Sequence, residues 1–311
     1  MKYLRAYSFH GVYGLVHTDQ NTLAECRFCG DPDHFSIEIS SGLFRCFKCE
    51  RQGNLYVFLR YLWEHLLEDF WGEPEQGWKH LKALAHERGI HSRVLQEHGI
   101  VYDKDLNHWV MPIFAPNYNP DGSLNRASPR KIVNLKRWIE DNGKLKLFGT
   151  PTCSTHLYRL DRIVEFERVG TTHRCNMSDD SLVMDFGGHP IIDSSLKQPF
   201  RFICEGEWDA LAMASHITGC RIIASPGADS FKRDWLDLTR SGSWLFLYDH
   251  DDAGYRGYAT LAERLPNLSN HRFLIWDKSL PSGYDIRDLC RDLNDSDKIL
   301  DYITSHLKRR T

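Results

Sequence analysis

Four cysteines stand in two pairs, Cys26-Arg-Phe-Cys29 and Cys46-Phe-Lys-Cys49, with sixteen residues between them. Each CxxC turn offers two thiolates to one ion, and a hairpin between the pairs would return the second to the first. That spacing fits a tetrahedral Zn²⁺ site with four sulfur ligands. Such a site has no open position, so its zinc is structural. Around the pairs lie Arg27, Phe28, Phe44, Arg45, Phe47, Lys48 and Arg51. Cations interleaved with aromatics suit a single-stranded nucleic acid, whose phosphates pair and whose bases stack. The same phenylalanines also fit the small core that a ribbon needs.

A second group is acidic. ICEGEWDALA ends an apolar run on Glu205, with Asp209 on the segment that follows. LYDHDDAG sets Asp249 and Asp251 two apart, and GYDIRDL carries Asp285 and Asp288. Where strands are parallel, their tips line one edge of the sheet, and α/β proteins build sites there. Carboxylates crowded on that edge repel one another unless cations neutralise them. Hard oxygen ligands without clustered Cys or His favour Mg²⁺ or Mn²⁺. Each acid taken alone also fits a helix cap or a loop; Asp209 and Asp252 both stand near expected helix starts.

A third group is basic. Between Arg126 and Arg162 there are nine Lys or Arg against three Asp or Glu. The chain as a whole carries a formal charge of -3, which excludes a uniformly basic nucleic-acid binder. A local positive segment in an acidic protein fits a phosphate footprint or an ordinary solvated loop.

The elements that must position these groups follow from the pattern of apolar residues. FSIEIS and LFRCF flank Ser41-Gly42 and predict a hairpin between the cysteine pairs. NLYVFLRYLWEHLLEDFW predicts a helix. EPEQG, residues 73–77, has Pro and Gly and no apolar residue, so it is expected to be a linker. WKHLKALAHERG and SRVLQEHG predict two short helices stopped by glycine. HWVMPIFAP predicts a strand, and residues 169–199 an insertion or a hairpin. From residue 200 strands (RFICEG, CRIIAS, SWLFLYDHD, RFLIWD) alternate with helices (EWDALAMASHI, SFKRDWLDLTR, DAGYRGYATLAERL), which implies a parallel sheet. The domains expected are 1–72, a zinc ribbon; 73–199, a basic α+β part; and 200–311, an α/β domain with a C-terminal helix.

Composition bounds the rest. The 311 residues are 41% hydrophobic and 12% aromatic, which indicates a folded chain with a core. Five further cysteines (Cys153, Cys175, Cys204, Cys220 and Cys290) are scattered, and an odd total favours metal over disulfides. No apolar run reaches the ~18 residues of a membrane span, and the N-terminus lacks a signal-peptide core. A cytoplasmic protein is therefore expected.

EGEWDALA followed by YDHDDAG resembles the TOPRIM domain of topoisomerases and primases. CRFCG…FRCFKCERQGN resembles the zinc-binding domain of DnaG-type primases, and HERGIHSRVLQEHGIVYD is similar to the opening of their catalytic core. Lys131-Ile-Val-Asn134 is similar to the family's Lys-x-x-Asn motif, and LYRLD at 157–161 to the aromatic turn after it. The resemblance covers most of the chain in the family's order, closest in style to phage or mobile-element primases. There are departures. Cys29 stands where bacterial cellular forms commonly have histidine. The loop before Lys131 is short, and the lysine before the LY turn is missing. The last acidic motif is Asp285-x-x-Asp288, wider than usual. No P-loop occurs, so a fused helicase motor is not expected.

The resemblance implies a DNA primase, a nucleotidyltransferase making RNA primers from NTPs on a single-stranded DNA template, with a replicative helicase as partner in trans and no membrane. It implies catalytic roles for Glu205, Asp249, Asp251 and Asp285. Magnesium or manganese would be held by these with Asp209 and Asp288. Substrate and template would meet Arg130, Lys131, Asn134, Lys136 and Arg137. Two rival functions use the same features: a TOPRIM nuclease, and a non-catalytic binder of single-stranded nucleic acid.

Overall fold

The computed structural model describes residues 2–17, 20–125, 127–142, 144–162, 201–218, 220–232, 235, 244–264 and 271–308. Residues 169–199, and most of the helix expected over SFKRDWLDLTR, lie outside them. The chain forms two compact units. One comprises residues 1–81 and 96–156, the other 82–95 and 157–311.

In the first unit, α1 (Lys2–Phe9) precedes β1 (Val16–His17), β2 (Asn21–Ala24), β3 (Phe35–Glu38), β4 (Phe44–Cys46) and β5 (Gln52–Gly53). These strands make one antiparallel sheet in sequence order. The expected hairpin is present, with Phe35 opposite Cys46. At its turn Gly42 has φ +71°, and a Cβ there would strike the Tyr3 ring at 2.4 Å, so glycine is required twice over. The Tyr7 hydroxyl donates to the Gly42 carbonyl at 2.7 Å, tying α1 to the turn. Sequence reasoning predicted no helix at α1, which is only eight residues long.

Asn54 caps α2 (Leu55–Trp71) by accepting from the Val57 N–H at 3.1 Å. The stretch expected to be a linker is instead the start of α3 (Pro74–Arg88). Proline fits the first helical turn because the N–H it lacks would have no partner there. Helix α3 runs from the first unit into the second at residue 82, and α4 (Ser92–Glu97) runs from the second back into the first at residue 96. Back in the first unit, β6 (Val101–Asp103), β7 (His108–Pro116), β8 (Arg130–Asp141) and β9 (Lys144–Gly149) form an antiparallel sheet in sequence order. Helix α2 lies against β6 and β8.

The second unit carries β10 (Arg201–Cys204), α5 (Glu207–His216), β11 (Arg221–Ala224), β12 (Leu245–Leu247), α6 (Asp252–Arg264), β13 (Arg272–Leu274), α7 (Ile286–Leu293), α8 (Ser296–Ser305) and β14 (Leu307–Lys308). Sheet order is β11-β10-β12-β13-β14. The first four strands are parallel and β14 is antiparallel. Strands buried on both faces read as unbroken apolar runs, as residues 202–204 and 245–247 do. Ile203, Ile223, Phe246 and Phe273 form the core, with the last two rings stacked at 4.9 Å. No helix among the described residues is long and apolar enough to cross a membrane.

Candidate functional site: a cysteine cluster, an acidic edge and a basic groove

The four cysteines converge. Their sulfurs all lie within 4.8 Å of one another. Cys26 Sγ is 3.9 Å from Cys49 Sγ, and Cys29 Sγ is 3.8 Å from Cys46 Sγ. Tetrahedral zinc with ~2.3 Å bonds to sulfur requires sulfurs about 3.8 Å apart. The donor set and spacing fit structural zinc. Phe28, Phe35, Phe44 and Phe58 pack into the core beneath it. Two of the aromatics read as stacking candidates, Phe28 and Phe44, are therefore core residues. Phe47 stays 58% exposed, with the Arg45 guanidinium 4.7 Å over its ring. Arg27 and Lys48 are committed to acids: Arg27 to Asp103 and Asp105, Lys48 to Asp31.

The acidic edge lies in the second unit. Glu205 follows β10, and its Oε2 accepts the Asp249 N–H at 3.1 Å, spanning the tips of the paired strands β10 and β12. Asp251 caps α6 by accepting the Gly254 N–H at 2.7 Å. A Cβ on Gly254 would lie 2.2 Å from the Asp249 carbonyl oxygen, so only glycine lets the helix start this close to the acidic turn. His250 pairs with Tyr284 in an isolated bridge, which brings GYDIRDL beside the turn. Asp285 caps α7 and accepts from Arg287. Asp209, in the first turn of α5, accepts from Arg287 Nε at 3.1 Å.

The electrostatics mark Asp249 as the centre. Burial pushes its carboxyl up to about 10, and the charges of Asp209, Glu205, Asp285 and Asp251 push the same way. Its Oδ1 is buried with no hydrogen-bond partner. Burial lifts Asp209 to about 7, with Asp285 adding and Arg287 opposing, and burial raises Glu205 as well. A buried carboxylate oxygen without a donor, among acids that resist ionising, fits a divalent cation. The remaining acidic candidate is engaged elsewhere. Asp288 completes the capping box of α7 and pairs with Arg291 at 2.6 Å. Among the described residues the cysteines alone bring three or more Cys, His, Asp or Glu ligand atoms within 4.8 Å. The acids gather on one edge without closing to that spacing.

The basic segment forms strand β8. Opposite it, Ile113 pairs with Asn134 but Phe114 pairs with Ile132, leaving Val133 as a bulge. In a regular strand Lys131 and Asn134, three apart, would point to opposite faces; the bulge puts both on one. Asn134 is 3% exposed, and its side chain accepts the Thr150 N–H at 2.8 Å. It holds the chain after β9 to β8. Lys131 is exposed and, with Arg130, lines a groove of about 890 Å³. Tyr56, Arg60 and Trp63 of α2 and Phe114 of β7 form its other walls, with Glu64 as its acid. The Arg130 guanidinium lies 4.3 Å over the Phe114 ring.

Arg137 does not belong with these cations. It is fully buried, ion-paired to Asp103 Oδ2 at 2.8 Å, and donates to His10 Nδ1 at 3.1 Å. No phosphate reaches it without breaking that pair. Lys136 is buried too, at 8% exposure. Asp103 thus joins two arginines, Arg27 from the ribbon and Arg137 from β8. Sequence reasoning missed this network and missed Arg287. The only available signal was charge, which does not say which cation is buried.

No protein-family model matches the sequence. Among solved structures, a DNA primase domain from Pseudomonas aeruginosa aligns with 81% of this chain and 79% of its own, at 17% identity and TM-score 0.50. The DnaG primase catalytic domain bound to single-stranded DNA aligns with 81% and 78%, at 16% identity and TM-score 0.50. The zinc-binding and RNA polymerase domains of Aquifex aeolicus primase align with 98% and 83%, at 15% identity and TM-score 0.47. Over about four-fifths of its length, this chain has the fold of DnaG-type DNA primase domains.

Proposed function

We propose that this chain is a DNA primase that makes short RNA primers from NTPs on single-stranded DNA. The observation that carries the reading is the acidic edge, with Asp249 Oδ1 buried and unpartnered among Glu205, Asp209, Asp251 and Asp285. Residues 200–311 would be a TOPRIM domain. Asp249 and Glu205, with Asp251, would hold Mg²⁺ or Mn²⁺. When bound, the ion would lower the pKa of the attacking 3′-hydroxyl and neutralise charge on the triphosphate. Burial raises the Glu205 carboxyl above its usual range, the direction that suits a proton acceptor.

The basic groove would take nucleotide or template. Lys131 and Arg130 would pair with phosphate, while Tyr56 and Trp63 would stack on a base. Asn134 would act by holding the strand that presents Lys131. The ribbon, residues 1–72, would meet the template through Arg45 and Phe47, the cation–aromatic pair left facing outward. Residues 73–199 would handle nucleotide. The Pseudomonas and DnaG likenesses support the fold that this function uses. A helicase in trans and a phage or mobile-element origin belong to the same proposal.

Incubating the protein with single-stranded DNA, labelled NTPs and Mg²⁺ tests it. New oligoribonucleotides on uncut template are expected. Cut template without new strands would make it a nuclease instead, and neither product would leave a binding protein.

A further inference from the structure

Asp209 and Asp285 reach the acidic edge, yet an arginine stands between them. Arg287 Nε–H donates to Asp209 Oδ1 at 3.1 Å, and Nη2–H donates to Asp285 Oδ2. The two carboxylates are nearly buried, with side chains 7% and 6% exposed, and the guanidinium is 27% exposed. Two side chains from different elements, α5 and the N-terminus of α7, thus converge on one planar cation. Arg287 is held in register because Asp285 is also the N-cap of its own helix and accepts the Asp288 N–H at 2.9 Å. The capping box fixes the first turn of α7, and that turn aims the arginine back at the edge.

We propose that Arg287 is the resident counter-ion of the acidic edge, filling the position between Asp209 and Asp285 that a second divalent cation would take. The edge then binds one divalent ion fewer than its acids invite, and the ion that remains is held around Asp249. This rests on the reading of the edge as an ion site. Chemically the substitution is sound. A guanidinium offers a rigid fork of donors matched to carboxylates, stays charged at every working pH, and needs no free metal. The exchange leaves a weaker charge, +1 for +2, next to a site that must bind triphosphate. Arg88 lies near the same edge, its guanidinium 5.1 Å over the Trp208 ring, and Arg287 opposes its charge. A further cation would be repelled by both.

Mn²⁺ binding to the full-length protein, read by electron paramagnetic resonance without nucleotide, decides it, because structural zinc is silent there. Arg287→Gln should bind one Mn²⁺ more than the unsubstituted chain, and Arg287→Lys should return the count to the original. An equal count in Arg287→Gln and the unsubstituted chain overturns the proposal. Asp209→Asn provides a variant that relieves charge, so it should fold whatever Arg287→Gln does. Its Mn²⁺ count should not change, because that carboxylate serves the arginine; loss of an ion there also overturns the proposal. Asp249→Asn tests the underlying ion site separately: it should lose the ion that remains.

Discussion

The cysteine cluster and the acidic edge are both sets of groups that repel as anions, and they resolve that repulsion differently. The thiols stand at the spacing one tetrahedral ion needs, so metal and ribbon fold form together. The carboxyls stand farther apart and are managed by protons and by Arg287. In a structural site every ligand goes to the metal. On the proposed function, the edge keeps charge unsatisfied because that is what would draw an ion and a triphosphate. Removing a ligand should therefore cost folding at the first and raise stability at the second.

The largest effect is expected from Cys46→Ser. Metal binding contributes apparent free energies of about 10–16 kcal/mol in zinc-finger peptides, and three thiolates hold the ion poorly. Zinc content should drop to near zero and amide protection across residues 21–53 should collapse. Full zinc occupancy in the variant would break the comparison from the cysteine side.

Asp249→Asn should do the reverse. Nucleotide incorporation should fall by at least about a hundredfold, the scale expected when a charge-stabilising group is lost, while the metal-free protein melts higher than the unsubstituted one. A lower melting temperature would mean that Asp249 is a structural acid like Asp288.

The pH dependence sharpens the point. Asp209 rises from 3.8 to about 7 and Asp249 from 3.8 to about 10 on folding. The folded state therefore holds protons that the unfolded chain has released. Stability from these groups is present at low pH and is lost as pH rises from about 4 through their folded values. The melting temperature of the metal-free protein should fall between about pH 5 and about pH 8, and Mg²⁺ should recover it at the upper end. Asp249→Asn should flatten the slope, which differential scanning fluorimetry at a series of pH values would show.

The smallest effect belongs to the basic groove, which has neither solution. Lys131→Ala should raise the apparent KM for NTPs about tenfold, the loss of one charge-assisted contact, with melting temperature unchanged. Unchanged KM with weaker DNA binding at fixed salt would assign this lysine to the template.

Legibility in the sequence differed along the same line. The CxxC pairs could be read because their geometry is local: two residues between ligands fix a turn, and a hairpin supplies the rest. The alternating strands and helices after residue 200 could be read because burial on both faces leaves unbroken apolar runs. The linker expected at residues 73–77 went the other way, since Pro74 opens a helix as readily as it ends one.

Sequence by itself determined the four cysteines that converge, the parallel sheet and the identity of the acids that could meet at its edge. Tertiary structure decided which of those groups are free. Asp288 was drawn into a helix cap, Asp209 and Asp285 onto Arg287, and Arg137 into a buried pair with Asp103. A bulge at Val133, invisible in the sequence, put Lys131 and Asn134 on one face. The reason is physical. Turn geometry and apolar periodicity are set by neighbours within a few residues. The partner of a charge is whichever opposite group the fold brings near, and Arg137 meets Asp103 across thirty-four residues of chain.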